Sequence, residues 1–161
     1  DAHQPPPPLP PCTSLRDDFD VVAPLGTGGF ARVVLCRHRA TSRLCAVKQL
    51  NKAHVVHKRQ QVRVINERHC LRAVTSPFVA ALYATFQDAR SLYFVLEFAQ
   101  GGELFTLIRR HRGLPLHHVR FYAAELLVAL EHLQHHNVVH RDMKPENVLL
   151  DADGHVRLAD L

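Results

Sequence analysis

Asp142, Lys144 and Asn147 stand close together in His140-Arg141-Asp142-Met143-Lys144-Pro145-Glu146-Asn147. A carboxylate, a cation and an amide at that spacing supply what phosphoryl transfer requires. The carboxylate orients a hydroxyl, the cation meets the migrating phosphoryl group, and the amide oxygen ligates Mg²⁺. Asp160, thirteen residues after Asn147 in Leu158-Ala159-Asp160-Leu161, adds a carboxylate at a strand end, suited to be a second metal ligand.

Two further segments fit the same chemistry. Leu25-Gly26-Thr27-Gly28-Gly29-Phe30-Ala31-Arg32-Val33 is rich in glycine, which lets backbone N–H groups approach phosphate oxygens. A flexible hairpin turn is the bland reading. The next residues, Val33-Val34-Leu35-Cys36, are apolar and include two β-branched valines, so the loop leads into a strand. Dinucleotide-binding and Walker loops open helices instead. A glycine hairpin between strands can fold over a nucleotide as a flap. In Ala46-Val47-Lys48 the lysine interrupts an apolar strand. It either faces solvent or is an inward cation in need of an anion. Glu67 shares a helix face with Val64 and Leu71, so a carboxylate sits on a packing side. Charges are rarely buried unless paired, and a Lys48–Glu67 ion pair explains both.

These residues need elements to position them. Phe19 to Leu25, Ala31 to Arg37 and Leu44 to Leu50 read as an antiparallel strand meander. Residues 57–74 turn helical, with Val64, Glu67, Leu71 and Val74 on one face. Val79 to Gln87 and Leu92 to Glu97 read as strands joined by Asp88-Ala89-Arg90-Ser91, and Gly101-Gly102 ends the pattern. Glu103 to His111 is a short helix. Leu116 to His136 is a long one, striped by Val119, Tyr122, Ala123, Leu126, Leu130 and Leu133. Val148 to Leu150 and Val156 to Leu158 form a hairpin about Asp153-Gly154. A sheet-rich first half thus meets a helical second half near Gln100 to Gly102.

Composition narrows the function classes. The 161 residues are 47% hydrophobic and 22% charged, which excludes a wholly disordered chain. The net charge of +5 suits a phosphate-bearing partner without choosing between nucleotide and nucleic acid. The basic group Lys52, Lys58, Arg59, Arg63, Arg68 and Arg72 lacks interleaved aromatics, so no nucleic-acid partner is expected. The longest apolar run, Phe78 to Phe86, is too short to span a bilayer, so no transmembrane segment is expected. Cys12, Cys36, Cys45 and Cys70 have no C-x-x-C spacing and read as buried thiols of a reducing compartment. His132, His136 and His140 recur at four-residue intervals. A helix end is the better reading than zinc, since no Cys or carboxylate cluster joins them. Residues 1–15 hold six of the ten prolines and read as a disordered tail.

Taken in order, the glycine flap, strand lysine, helix glutamate, catalytic loop and metal aspartate resemble the signature set of eukaryotic protein kinases. The resemblance covers Phe19 to Leu161. Lys144, two residues after Asp142, is similar to the serine/threonine branch. Asn66-Glu67-Arg68, Leu96-Glu97-Phe98 and Gly101-Gly102-Glu103-Leu104-Phe105 resemble the AGC group. The implied fold is α+β and two-lobed: a complete antiparallel-sheet N-lobe at about 16–100 and a truncated helical C-lobe over 101–161. The implied cofactors are ATP and Mg²⁺. By the same resemblance, Leu25, Val33, Ala46 and Leu149 would sandwich adenine, beneath a flap of Gly26, Thr27, Gly28, Gly29, Phe30 and Ala31. Leu96 would be the gatekeeper, and the backbone of Glu97 and Ala99 would read the adenine edge. Lys48, oriented by Glu67, would hold the α- and β-phosphates. Asp142 would orient the substrate hydroxyl and Lys144 the γ-phosphate, with Asn147 and Asp160 on Mg²⁺. Glu103 would touch ribose and, with Glu146, favour substrates with Arg before the acceptor.

Ala31 stands where the family has its third flap glycine, and Leu161 where it usually has Phe. The expectation is a kinase fragment, itself inactive, whose parent phosphorylates Ser or Thr in basic protein sequences in the cytoplasm or nucleus. An upstream activating kinase or a regulatory subunit would govern it. The alternatives are a pseudokinase or ATP-binding scaffold, which would usually lack one of Lys48, Asp142 and Asp160, and a small-molecule kinase, which the Lys144 spacing opposes.

Overall fold

The computed structural model describes residues 9–28 and 31–161. Gly29 and Phe30 of the flap, and the first eight residues of the expected tail, lie outside the described residues. The described chain divides into two compact units, 9–66 with 81–98 and 67–80 with 99–161.

The first unit is a five-stranded sheet. Its strands are β1 (Phe19–Thr27), β2 (Ala31–His38), β3 (Leu44–Asn51), β4 (Leu82–Gln87) and β5 (Ser91–Glu97). They pair antiparallel in the order β1-β2-β3-β5-β4. Register decides which residues share a face, because directly opposite residues project the same way and alternate residues return to it. Val34 opposes Val47, which opposes Val95, and Cys36 opposes Cys45. These side chains are buried in one core cluster with Tyr93 and Phe19. Val33 opposes Lys48, which opposes Phe94, and Ala46 lies between Leu35 and Leu96. Lys48 therefore stands on the other face, beside Val33 and Ala46.

The core face is closed by residues expected to be disordered tail. Leu9 and Cys12 are buried in the same cluster, and Leu15 packs on it. Residues 9–15 are ordered because apolar side chains recur among the prolines and the next turn is capped at its N-terminal end. In the short helix α1 (Leu15–Asp18), the Ser14 hydroxyl accepts from the Arg16 and Asp17 N–H groups. Asp18 reaches back to the N–H groups of Thr13 and Ser14 at 2.7 and 2.9 Å. Burial pushes the Cys36 thiol up to about 11 and the Cys45 thiol up to about 12, so both are inert.

The helix expected over 57–74 begins only at Gln61, as α3 (Gln61–Ala73), and a separate, unexpected helix α2 (Lys52–His57) precedes it. Asn51 caps α2 by accepting from the His54 N–H. The break comes at Arg59, in the left-handed region at φ 52°. No glycine or proline marks it. The face of α3 reads as expected: Val64 and Leu71 are buried, as is Val74 just beyond, and Glu67 is half-buried.

The second unit carries β6 (Gly102–Glu103), α4 (Leu104–His111), α5 (Leu116–His135), a 3₁₀ turn (Pro145–Asn147), β7 (Val148–Leu150) and β8 (Val156–Leu158). Its small sheet runs β6-β7-β8. Leu104, Ala129, Leu133, Val148, Leu150, Val156 and Leu158 form its core with Val74 and Val79. The strand expected from Val79 begins only at Leu82, and Val79 makes a parallel bridge to Leu158 instead. Gly101 is obligatory here. A Cβ on it would lie 2.7 Å from the Asp151 carbonyl oxygen and 2.9 Å from Leu150.

The stripe on α5 is shifted from its expected position. Val119 is 46% exposed and Ala123 is exposed, whereas Glu125, Ala129 and Leu133 are buried, flanked by Tyr122, Leu126 and Leu130. A carboxylate on that face is accommodated because two donors meet it: the Val156 N–H at 2.8 Å and the His155 ring.

Candidate active site

The loop after α5 brings Asp142, Lys144 and Asn147 into direct contact. Lys144 Nζ donates to Asp142 Oδ2 at 2.7 Å. Asn147 Nδ2 donates to the Asp142 carbonyl oxygen at 2.9 Å and to Oδ2 at 3.1 Å. Pro145 begins the 3₁₀ turn that carries Asn147, a position where a missing N–H costs nothing. Asn147 is buried, while the side chains of Asp142 and Lys144 are 53% and 45% exposed. The loop is thus anchored at its amide and open at its charges.

His140 fixes the loop from the other side. Its Nε2 lies 2.9 Å from the Ala159 carbonyl oxygen, and its Nδ1 accepts from the Asp142 N–H at 3.3 Å. The Ala159 N–H donates to the Asn147 carbonyl oxygen at 2.9 Å. Asp160, left-handed at φ 58°, is therefore tied to Asn147 through its neighbour. The His132 and His136 rings pack against each other at a tilt, with centroids 4.6 Å apart, so His140 is in different company. Among the described residues no group of three His, Cys, Asp or Glu side chains could hold a metal ion.

The electrostatics arise from these contacts. The hydrogen bond from Lys144, helped by Asn147, holds the Asp142 carboxyl below the usual carboxylate range. The same bond raises Lys144, and the nearby charges of Glu146 and Asp160 add to it. Asp142 is a poor proton acceptor at neutral pH and a good orienting acceptor. The donor set also suits a hard cation. The Asn147 amide nitrogen is committed to Asp142, and an amide oxygen such as that of Asn147 and a carboxylate such as that of Asp160 are oxygen groups of the kind Mg²⁺ takes.

The other expected site residues are placed by register within each unit. Gly26 opposes Val33, Val33 opposes Lys48, and Ala46 opposes Leu96. Thr27 ends β1, and the Gly28 N–H donates to the Ala31 carbonyl oxygen at 2.7 Å, closing the visible part of the hairpin. Leu25 is 45% exposed. Glu97 receives the Ala81 N–H on its carboxylate at 3.1 Å and gives its own N–H to the Ala81 carbonyl oxygen at 2.8 Å. In the second unit Glu103 opposes Leu149 across β6 and β7. Glu103 precedes α4 without making a capping hydrogen bond, and both it and Glu146 are exposed. Ala99 is buried, and Lys48 and Glu67 are half-buried. Sequence reasoning misses Glu125, although its position three after Tyr122 and four before Ala129 is the same signal that exposes Glu67.

Gly26 offers a direct test of the flap. A Cβ built on it meets nothing within 4 Å, and its φ does not lie in the left-handed region. Among the described residues, neither packing nor backbone requires glycine there. Gly26→Ala is expected to change stability by less than about 0.5 kcal/mol. It should weaken ATP·Mg²⁺ binding about tenfold, equivalent to ~1.4 kcal/mol. Thermal melts and equilibrium binding, measured together, check this.

One unit thus carries the glycine hairpin and a lysine on the third strand, and the other carries the Asp–Lys–Asn loop. Comparison with known proteins gives the class: a protein kinase domain matches residues 19–161, and the chain belongs to that family. It is 46% identical over 143 residues to a cAMP-dependent protein kinase catalytic subunit of Arthrobotrys oligospora, covering 89% of this chain and 28% of that protein. It is 42% identical over 148 residues to serine/threonine-protein kinase akt-2 of Caenorhabditis elegans, covering 92% and 28%. It is 40% identical over 153 residues to the human cAMP-dependent protein kinase catalytic subunit PRKX, covering 95% and 42%. These are AGC kinases, in keeping with the resemblance carried by Gly101 to Phe105. The chain spans less than half the length of each.

Proposed function

We propose that the protein transfers the γ-phosphoryl group of ATP to Ser or Thr hydroxyls in protein segments that carry Arg before the acceptor. The observation that supports this best is the hydrogen-bonded set of Asp142, Lys144 and Asn147. In this reading Asp142 accepts a hydrogen bond from the substrate hydroxyl and aims its oxygen in line. Its depressed pKa suits it to orient the hydroxyl and to take the proton late. Lys144 pairs with Asp142 and offsets negative charge as the phosphoryl group moves. Lys48, with Glu67, holds the α- and β-phosphates. Asn147 and Asp160 would hold Mg²⁺, which supplies charge neutralisation at the phosphates when bound. Exposed Glu103 and Glu146 supply acceptors for a substrate guanidinium.

The relatives' names bear on the wider setting. Two are catalytic subunits of cAMP-dependent kinase, so a regulatory subunit, or an upstream activating kinase, belongs to the proposal. Among the described residues no helix is long and apolar enough to cross a membrane. The cytoplasm, with the nucleus as alternative, is the proposed location.

The test is phosphate transfer from labelled ATP to a Ser peptide with preceding Arg residues, against the same peptide with Glu in their place. The intact protein should label the Arg peptide. The 161 residues alone are expected to give no turnover, because α5 leaves Leu116, Phe121, Leu127 and Val128 between 42% and 68% exposed. Apolar area of that kind destabilises an isolated chain. Nucleotide binding without transfer by the intact protein would replace this reading with an ATP-binding scaffold.

A further inference from the structure

Glu125 and His155 form a partly buried polar contact outside the transfer loop. Glu125, on α5, is 8% exposed. One carboxylate oxygen receives His155 Nδ1 at 2.5 Å and the other receives the Val156 N–H at 2.8 Å. His155 is fixed in turn at the head of β8. Its N–H donates to Asp151 Oδ1 at 2.9 Å, and its carbonyl oxygen accepts from the Asp151 N–H at 2.9 Å. Arg157 Nη2 pairs with Asp151 Oδ2 at 3.1 Å. The Phe121 ring lies 5.5 Å from the His155 ring.

The charged groups that face His155 are therefore Glu125 from α5, Asp151 from the end of β7, and Arg157 from β8. The Glu125 hydrogen bond raises the imidazole above its ordinary range. The charges of Glu125 and Asp151 add to that, while partial burial and Arg157 oppose it. The charge pairing is complete below the ordinary pKa of about 6.5 and is lost as pH rises through the raised value. The neutral ring can still donate through Nδ1, but the bond is then no longer assisted by charge on the donor and the clamp weakens.

The position of this contact gives it a consequence. The β7–β8 hairpin has three-residue strands, Asn147 immediately before it and Asp160 two residues beyond. Its near end is tied by Leu158 to Phe78 and Ala80, and by Ala159 to Asn147. Glu125 holds its far end, through Val156 opposite Leu150. A hairpin this short, fastened at both ends, moves as one piece.

We infer that Glu125 and His155 are positioning residues: they clamp the β7–β8 hairpin to α5 and make the placement of Asn147 and Asp160 depend on the protonation of His155. The link to transfer rests on the function proposed above. The clamp itself does not.

The test is an NMR pH titration of the intact protein between pH 6 and 8, comparing wild type with His155→Gln and Glu125→Gln. His155→Gln keeps a donor for Glu125 and removes the titration. In wild type, the His155 ring should titrate above 6.5, and the backbone amides of Asn147 and Asp160 should shift with the same midpoint. Glu125→Gln should return the His155 midpoint to the ordinary range. Both variants should lose that component of the amide shifts. His140 also touches this region, so only the component lost in His155→Gln counts. Amides that shift identically in wild type and His155→Gln overturn the clamp, as does a His155 midpoint unmoved in Glu125→Gln. If Glu125→Gln fails to fold, His155→Gln decides alone. In the intact protein, kcat for the Arg peptide should show a step between pH 6 and 8 that His155→Gln removes. Absence of transfer in every variant overturns the proposed function, while the amide titration still decides the clamp.

Discussion

Lys48→Met is expected to abolish phosphoryl transfer by the intact protein while leaving its fold in place. Methionine keeps most of the lysine's length and apolar stem, so the half-buried place on β3 between Val33 and Phe94 stays filled. What is lost is a cation on the face opposite the sheet's core. Removing one preorganised charge at a transferring phosphoryl group costs about 10²–10³ in rate. Transfer to the Arg peptide should fall by at least that factor, with the melting temperature little changed. The pairing with Glu67 is tested in the same experiment. If the two act as a unit, Lys48→Met with Glu67→Gln loses no more rate than Lys48→Met alone. Wild-type turnover in Lys48→Met would remove the assignment of Lys48. Additive losses would remove the pairing.

The parts of the site that are legible in sequence are those where a residue violates its surroundings. Lys48 breaks an apolar strand, Glu67 sits on a packing face, and Asp142, Lys144 and Asn147 crowd a loop between apolar segments. The β-register that sets Val33 and Ala46 beside Lys48 comes from alternation alone, since a one-residue slip would turn Lys48 into the core. Elements governed by side chain to backbone contacts are less legible. The α2–α3 break rests on Arg59 in a left-handed conformation, which arginine takes without announcing it. Leu9 and Cys12 are buried despite the prolines around them, because Asp18 and Ser14 fix the adjoining turn. Periodicity misplaces the α5 stripe because it counts Glu125 as solvent-facing. The partners of Glu125, thirty and thirty-one residues away, leave no trace in helical periodicity.

Asn147→Ala is expected to have the second large effect, and of a different kind. Asn147 is buried and spends its amide nitrogen on both the carbonyl and the carboxylate of Asp142. Its amide oxygen is the proposed Mg²⁺ ligand. Alanine removes the brace and the ligand together, leaving Lys144 to hold Asp142 alone. Two readouts separate these losses. Without the Asn147 hydrogen bond, the Asp142 carboxyl should move back up toward the ordinary carboxylate range, though not fully, because the Lys144 bond is the larger cause of its depression. A depressed carboxyl contributes stability that is present above its ordinary pKa and lost as pH falls through the folded value. Asn147→Ala should therefore unfold at higher pH in an acid titration, whether or not metal is present. The ligand loss shows as a higher Mg²⁺ concentration for half-maximal transfer, with kcat reduced by about 10² or more. Asn147→Asp restores an oxygen ligand but sets a second carboxylate against Asp142, so it should recover Mg²⁺ affinity without recovering acid stability. An alanine variant with unchanged Mg²⁺ dependence would take Asn147 out of the metal site. One with unchanged acid stability would show that Lys144 alone holds Asp142 in place.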